Sequence, residues 1–349
     1  MRENQYLVVG ASGVTGGAIA RHLAEQGHAV TALSRGGPRR VETATQRVLR
    51  GDLSLPGGIE KGSLRDITHV VYAGYVEGST HAETTALNAA MLDHLLDAVD
   101  RDGAQVAHFV LIGGGKSYGE HLGPYRTPAK ESDPRLLGPI LYNPQEEALG
   151  AWAARTGAGW TVLRPDGVVG FGARSPMNIL SGVAAFAMLS KRENVPLRFP
   201  GSWGAWRALH QATDARILAR AAEWALGAPS ARGEIFNVTN GDHFRWSHLW
   251  PDIAAFFEMP YDEPQPLDLE AHMVGRDPDW AHLAHEHGLQ QPDFEQFVSW
   301  PFVQGWWRTE YDMVQSTIKI RRAGFTDCID SHDSFIDNLT ALRNDRFIN

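Results

Sequence analysis

The sequence predicts an α/β fold, and three observations carry that prediction. Residues 6–10 (Tyr-Leu-Val-Val-Gly) form a short apolar run closed by glycine, residues 18–23 have helical character, and residues 29–33 are strand-like again, which makes a βαβ unit. The alternation continues through strand candidates at 48–49, 69–73 and 108–112, with a helix candidate at 82–99 between the last two. Such a series builds a parallel sheet covered by helices on both faces. After about Arg164 the alternation is lost and Trp, Pro and Phe become frequent, which marks a second lobe. The expected architecture is a Rossmann-type doubly wound parallel sheet, residues 1–165, with a smaller, mainly helical C-terminal lobe, residues 166–211 and 241–349. The segment at about 212–240 reads as a helix (215–226) and a strand (234–238) that return to the first sheet. From Trp246 onward helices dominate, and their aromatics, from Trp250 to Trp307, are expected in the core or in a pocket wall.

The chain has 349 residues, 43% hydrophobic and 21% charged, with 36 Gly and 19 Pro, which suffices for a large core and excludes disorder, collagen and coiled coil. A formal charge of −9 without a basic run or basic helix face argues against nucleic acid as a partner. One cysteine, Cys328, makes no internal disulfide, so the framework does not depend on an oxidising compartment. The strand beginning at Tyr6 leaves no room for a secretory leader, and apolar stretches such as 183–189 are too short to span a bilayer. A soluble, cytoplasmic protein is expected, with no membrane partner.

Gly10-Ala-Ser12-Gly13-Val14-Thr15-Gly16 follows a predicted strand and opens a predicted helix. Backbone N–H groups and the helix dipole there suit a pyrophosphate, and the glycines permit its close approach. The spacing is GxxGxxG, as in extended and atypical short-chain dehydrogenases/reductases. The end of the second strand discriminates between cofactors, because an acid there bonds the ribose of NAD and an arginine pairs with the extra phosphate of NADP. Ser34 and Arg35 stand there, with Arg39 and Arg40 nearby. Asp52, with Leu53 beside it, is the candidate for the adenine, and Ala73, the last residue of its strand candidate, closes the cofactor set.

Most short-chain reductases place a lysine four residues after a tyrosine on one helix face, where it lowers the phenol's pKa. Tyr142 is followed at that offset by Glu146. Asn143-Pro144-Gln145-Glu146 reads as N-cap, N1, N2 and N3 of a helix with a capping-box glutamate, leaving Tyr142 just outside the first turn. The lysine must come from elsewhere, and Lys116, after Gly113-Gly114-Gly115 at the carboxyl end of a strand, is the natural candidate.

These residues belong to a larger pattern. Gly113-Gly-Gly-Lys116-Ser-Tyr118 is similar to a TGxKHY segment, Gly123-Pro-Tyr125 to GPF, and Tyr142-Asn-Pro-Gln-Glu146 to YxxED. Arg164-Pro-Asp-Gly167-Val-Val-Gly170-Phe171 is similar to RPGxxxGF, Met177-Asn178 to an MN pair, and Leu197-Arg-Phe-Pro-Gly201 with Ala205-Trp206 to LRFxG…AW. Phe236-Asn-Val-Thr-Asn-Gly241-Asp242 and Phe244-Arg-Trp246 match FNVSNGD and FKW. In this order and spacing the chain resembles the progesterone 5β-reductase/iridoid synthase-like enzymes, an atypical branch of the short-chain dehydrogenases/reductases.

The resemblance implies NADPH-dependent reduction of a C=C bond conjugated to a carbonyl, on a small apolar enone or enal, with Lys116 and Tyr142 as the catalytic pair and Tyr142 also beside the cofactor. It suggests a homodimer. Hydride arriving at the β-carbon throws charge onto the carbonyl oxygen, where a phenol stabilises the enolate. Tyr125, Phe171, Met177, Trp203 and Trp206 are candidate pocket walls. Gly36 follows Arg35 where the family often has a second arginine, which leaves NADH open as a donor, and Ser117 replaces a common histidine. His282, His285 and His287 cluster locally without an acid or cysteine to complete a tetrahedron, so no metal is expected. The alternatives are a carbonyl reductase, epimerase or dehydratase on the same scaffold, and a dinucleotide-sensing protein without turnover.

Overall fold

The computed structural model describes residues 4–36, 46–172 and 175–349. Arg39 and Arg40 lie outside the described residues. The chain divides into two compact units. Unit 1 contains residues 1–166, 215–239 and 315–327, and unit 2 contains 167–214, 240–314 and 328–349.

Unit 1 is built on a seven-stranded parallel sheet. Its strands are β1 (Gln5–Val9), β2 (Ala29–Ser34), β3 (Gln46–Arg50), β4 (His69–Tyr72), β5 (His108–Ile112), β6 (Gly159–Pro165) and a returning strand, Glu234–Val238. From one edge the order is the returning strand, β6, β5, β4, β1, β2 and β3, so the order reverses on either side of β1. That reversal opens a crevice at the carboxyl ends of the strands, where open α/β sheets bind ligands. Helices α1 (Val14–Glu25), α2 (His81–Asp102) and α3 (Tyr142–Thr156) and a returning helix, Ala215–Gly227, flank the sheet. The central strands are apolar through their middles, as a sheet covered on both faces requires, with Leu7, Val8, Val70, Val71, Phe109, Val110, Val162 and Leu163 fully buried.

The segment 315–327 also joins unit 1. Ser316 N donates to Ala129 O at 2.8 Å, and Lys319 Nζ reaches Ile235 O at 2.8 Å and Glu234 at 2.7 Å. Nothing in its local periodicity distinguishes it from its neighbours, because these partners lie 80 and more residues away.

Unit 2 is mainly helical. Its central helix, Ile179–Arg192, is buried from Ile179 through Ser190, too apolar all round to face water on any side. Around it Phe199, Trp246, Trp250 and Trp307 meet at ring-centroid distances of 5.1 to 6.1 Å. Two small parallel strand pairs complete the unit, Val168–Val169 with Thr213–Asp214 and Leu197–Arg198 with Tyr261–Asp262. Among the described residues no helix is long and apolar enough to cross a membrane.

One buried histidine ties sheet stability to pH. His108 Nε2 lies 2.9 Å from Thr161 Oγ1, whose hydroxyl donates to Ala231 O at 2.6 Å, so the imidazole is the neutral Nε2–H form. Burial first, then Arg232 and His69, bring its pKa down to about 4. The folded value is below the unfolded one of about 6.5, so this stability is complete above that pH and is lost as pH falls toward 4. Melting temperature is expected to drop between pH 7 and 4.5, and His108→Gln, which keeps a donor toward Thr161, should drop less over that window. Equal slopes would show that this imidazole is not the titrating group.

Candidate active site

The first part of the site is made of backbone. Gly10 follows β1 at φ +77, and a β-carbon there would lie 2.5 Å from Ala73 O. On Gly16 it would lie 2.4 Å from Gly10 O. Only glycine lets the end of β1, the residue after β4 and the first turn of α1 come this close. Gly13 caps α1 without any side-chain hydrogen bond, so the N–H groups of Val14, Thr15 and Gly16 have no side-chain cap, and Ser12 is exposed on the loop before them. Such an N-terminus favours an anion.

Ser34 ends β2, 7% exposed, with an Oγ that has no hydrogen-bond partner among the described residues. Arg35 beside it is exposed and close enough to help stabilise the Asp52 carboxylate. Asp52 Oδ1 accepts from Ser54 Oγ at 2.7 Å and Ser54 N at 3.0 Å, and these bonds chiefly hold its pKa below the usual range. The Leu53 side chain is buried in the core and His94 Nδ1 contacts its carbonyl at 2.8 Å, because the Asx turn at Asp52 points the next residue inward. The residues fit a dinucleotide through their orphaned serine, uncapped helix terminus and glycine-only approaches.

The second part forms where β5 ends. Gly113 N donates to Leu163 O at 2.7 Å, and a short 3-10 turn runs over Gly115–Tyr118. A β-carbon on Gly114 would sit 2.9 Å from Tyr142 Oη, and one on Gly115 would sit 1.9 Å from Glu120 Oε2. Lys116 follows directly, its Nζ 5.6 Å from the centroid of the Tyr75 ring. The structure thus gathers Tyr142, Glu120, Lys116 and Tyr75 around three consecutive turn residues.

Two expectations need correction. Tyr142 is the first residue of α3, inside its first turn, and the N-cap is Leu141 with no side-chain bond. Glu146 makes no capping box because its carboxylate is claimed by Arg164, while Gln145 Nε2 donates to Asn88 O at 3.0 Å. The Tyr142 phenol is moreover pushed up, by burial first and then by Tyr75 and Glu120, and Lys116 is not among the groups that shift it. Lys116 acts instead on Glu120 and His121. The phenol therefore stays protonated at neutral pH.

Arg164, 6% exposed on β6, ties these pieces together. Its Nη2 donates to Glu146 Oε1 at 2.7 Å and Oε2 at 3.0 Å, and its Nε to Oε1 at 3.1 Å. Nη1 donates to Tyr118 Oη at 3.2 Å, and the Tyr118 hydroxyl donates to Asn237 Oδ1 at 2.5 Å on the returning strand. Asn237 Nδ2 goes on to Ala129 O and Ser316 O, at 3.1 and 3.2 Å.

The candidate wall residues fall in both units. Tyr125 is part-exposed in unit 1. In unit 2, Phe171 packs on Phe347 at 4.3 Å and Trp206 on Phe199 at 5.2 Å, both against the apolar core. Met177 and Trp203 are 37% and 39% exposed, with Arg207 over the Trp203 ring at 5.2 Å. His282 faces Glu286 at 3.7 Å, and among the described residues no group of three or more His, Cys, Asp or Glu is arranged to hold a metal ion. The sequence reading missed Tyr75, Glu120 and Asp166. The available signal was that Asp166 stands where RPGxxxGF has its glycine.

Such a sheet, with its glycine-built first turn, defines a Rossmann-fold protein. Residues 59–316 match the PRISE-like Rossmann-fold domain, and the chain belongs to that family. It is 35% identical to an (S)-8-oxocitronellyl enol synthase of Camptotheca acuminata over 68% of this chain and 64% of that protein, under two thirds of the relative's length. It is 32% identical to a 3-oxo-Delta(4,5)-steroid 5-beta-reductase of Arabidopsis thaliana over 78% of this chain and 72% of that one. Its fold is shared with a short-chain dehydrogenase/reductase superfamily protein of Agrobacterium tumefaciens solved with bound NAD, at TM-score 0.65 and 17% identity, covering 98% of each chain.

Removing one partner of a buried ion pair strands the other charge. Arg164→Met is expected to destabilise the protein by about 3 to 5 kcal/mol in urea unfolding. The double variant Arg164→Met/Glu146→Leu should recover most of that loss. A double variant no more stable than Arg164→Met would show that the pair's charges are not what the site depends on.

Proposed function

We propose that this protein is an NADPH-dependent ene-reductase that reduces the C=C bond of small apolar α,β-unsaturated carbonyl compounds. The observation that carries the reading is the meeting of the Tyr142 hydroxyl and the Lys116 turn at Gly114, with Glu146 and not lysine four residues after the tyrosine. The relatives' names point the same way. A 3-oxo-Delta(4,5)-steroid has a C=C conjugated to a ketone, and an enol is what forms when an enolate oxygen takes a proton.

Gly10, Ser12, Gly13, Val14, Thr15, Gly16, Ser34, Arg35, Asp52 and Ala73 would hold the dinucleotide, the helix terminus taking its pyrophosphate and Arg35 the extra phosphate of NADPH. Bound there, a reduced nicotinamide would supply the hydride for the substrate's β-carbon. Tyr142, kept protonated by its surroundings, donates to the carbonyl oxygen as negative charge develops on it. Lys116 contributes positive potential beside that oxygen. A phenol held protonated does this without first recovering a proton from bulk water.

Screening enones and enals with NADPH and NADH tests the reading directly. With 2-cyclohexen-1-one the expected product is the saturated ketone; allylic alcohol as the main product would favour a carbonyl reductase. Tyr142→Phe should lower turnover roughly a hundredfold or more on weakly activated enones while leaving NADPH affinity nearly unchanged, the loss of about 2.7 to 4 kcal/mol typical of one oxyanion donor. Wild-type turnover in that variant would remove Tyr142 from its role.

Arg35→Ala removes a charge-assisted bond of about 1.5 to 3 kcal/mol and should raise KM for NADPH about tenfold or more with little change for NADH. Equal effects on both cofactors would show that Arg35 does not read the phosphate.

A further inference from the structure

Lys116 stands on a turn and not on the helix of Tyr142, so the register of α3 does not fix where its ammonium lies. That turn is one short 3-10 stretch between Gly114 and Gly119, and the lysine adds a long flexible stem of its own. Among the described residues the ammonium makes no hydrogen bond or ion pair. What it meets is an aromatic face, with Nζ 5.6 Å from the centroid of the Tyr75 ring. Within about 6 Å a cation is drawn to the negative face of such a ring.

Tyr75 is half-buried on the loop after β4, and that loop is fastened on both sides of it. Before it, Ala73 N donates to Val9 O at 3.1 Å, and Gly74 packs so closely on Tyr72 that a β-carbon there would lie 3.1 Å from the ring. After it, Asn88 of α2, 1% exposed, pairs with the loop as a neighbouring strand would. Val76 N donates to its Oδ1 at 3.0 Å, and its Nδ2 donates to Val76 O at 2.6 Å. The same Nδ2 donates to Thr84 O at 2.7 Å, and Gly78 N donates to Thr84 Oγ1 at 3.0 Å. Both amide hydrogens of Asn88 are thus in use, one holding the loop and one holding the helix. The Asn88 carbonyl accepts from Gln145 Nε2 at 3.0 Å, three residues after Tyr142 on α3. One chain of hydrogen bonds therefore runs from the helix that carries the phenol to the loop that carries the ring.

We propose that Tyr75 is the positioning residue of Lys116, its ring face holding the ammonium in the site in place of the helix register that fixes the lysine of a tyrosine–lysine pair. The proposal deepens the ene-reductase reading and rests on it. In that reading Lys116 supplies positive potential to an oxyanion, and potential falls with distance, so a lysine free to swing supplies it only part of the time. An aromatic face suits this task better than a carboxylate. It attracts the ammonium through the ring quadrupole without setting a full negative charge beside the oxygen on which charge develops. Burial first and then Glu77 raise the Tyr75 phenol to about 12, so at neutral pH the lysine meets an uncharged ring. In this role Tyr75 acts through Lys116 and not on the substrate.

Two kinds of variant test the role by turnover. Tyr75→Phe and Tyr75→Trp keep an aromatic face and should leave kcat on weakly activated enones within about twofold. Tyr75→Leu removes the face and should lower kcat roughly fivefold or more, though no further than Lys116→Met does. In the Lys116→Met background Tyr75→Leu should change kcat little, because nothing is left for it to position. Additive losses in that double variant, or equal losses in Tyr75→Phe and Tyr75→Leu, overturn the proposal. Tyr75→Met, a second non-aromatic variant, serves in the same way where leucine is not tolerated.

A measurement without substrate or cofactor separates the proposal from the functional reading. In limited acetylation of the full-length protein, followed by peptide mass spectrometry, the exposed Lys61 and Lys130 are internal references. Relative to them, Lys116 should react about threefold faster or more in Tyr75→Leu than in the unmutated protein, and at the unmutated rate in Tyr75→Phe. An unchanged relative rate in Tyr75→Leu overturns the proposal whatever the turnover. Failure of the unmutated protein to reduce any enone sinks the functional reading instead, and the acetylation rate then still decides whether Tyr75 holds Lys116.

Discussion

A guanidinium sealed from water at the end of a central strand must find its counter-charge within the protein, and Arg164 finds it in Glu146 on α3. That single requirement determines much of unit 1's site. Glu146 lies one helical turn after Tyr142, so the ion pair sets the position of the first turn of α3 against β6. The remaining Arg164 donor reaches Tyr118, two residues after Lys116, and so anchors the turn that carries the lysine. Tyr118 passes the constraint to Asn237 on the returning strand, and Asn237 to the backbone at 129 and 316. The two groups proposed to do chemistry are thus placed by a network that contains neither of them.

Close backbone approach is the second constraint, and it operates twice. At Gly10 and Gly16 the absence of side chains lets β1, the residue after β4 and α1 converge, which leaves helix N–H groups open toward an anion. At Gly114 and Gly115 the same absence makes space for a phenol and a carboxyl above the end of β5. Both places are at the carboxyl ends of parallel strands. The electrostatics of the second differ from a tyrosine–lysine pair on one helix face: the phenol is raised, and the lysine works on a buried carboxyl. Such a centre favours hydrogen-bond donation to an oxyanion over action as a phenolate base.

Unit 2 is organised by aromatic packing. Its central helix is buried on every side, and glycine again permits contact there, with a β-carbon on Gly182 only 2.4 Å from the Val303 side chain. Trp246, Trp250 and Trp307 are each no more than 1% exposed, and Trp250 Nε1 donates to Leu197 O at 3.0 Å. This is why the composition after residue 164 turns to tryptophan and phenylalanine: a helical unit without a wide sheet fills its centre with large rings.

The strands and helices of unit 1 were legible because their signals are local. Apolar runs, glycine at turns and a 3.6-residue period survive without tertiary context, and so the glycine turn after β1, the Ser34–Arg35 position and the return of residues 215–238 were readable from the chain alone. The ordered motifs also indicated the family, since spacing along a sequence preserves spacing in a fold. Tertiary structure decided what depends on distant partners. Glu146 reads locally as a helix cap, but a buried arginine 18 residues away outcompetes the backbone for it. The turn at Asp52 sends the Leu53 side chain into the core, which no local pattern announces. Lys116 reads as the group that acidifies Tyr142, yet Glu120 and Tyr75 stand nearer in effect and push the phenol the other way. A charge's influence follows distance through space and the water excluded around it, and neither quantity is written in the order of residues.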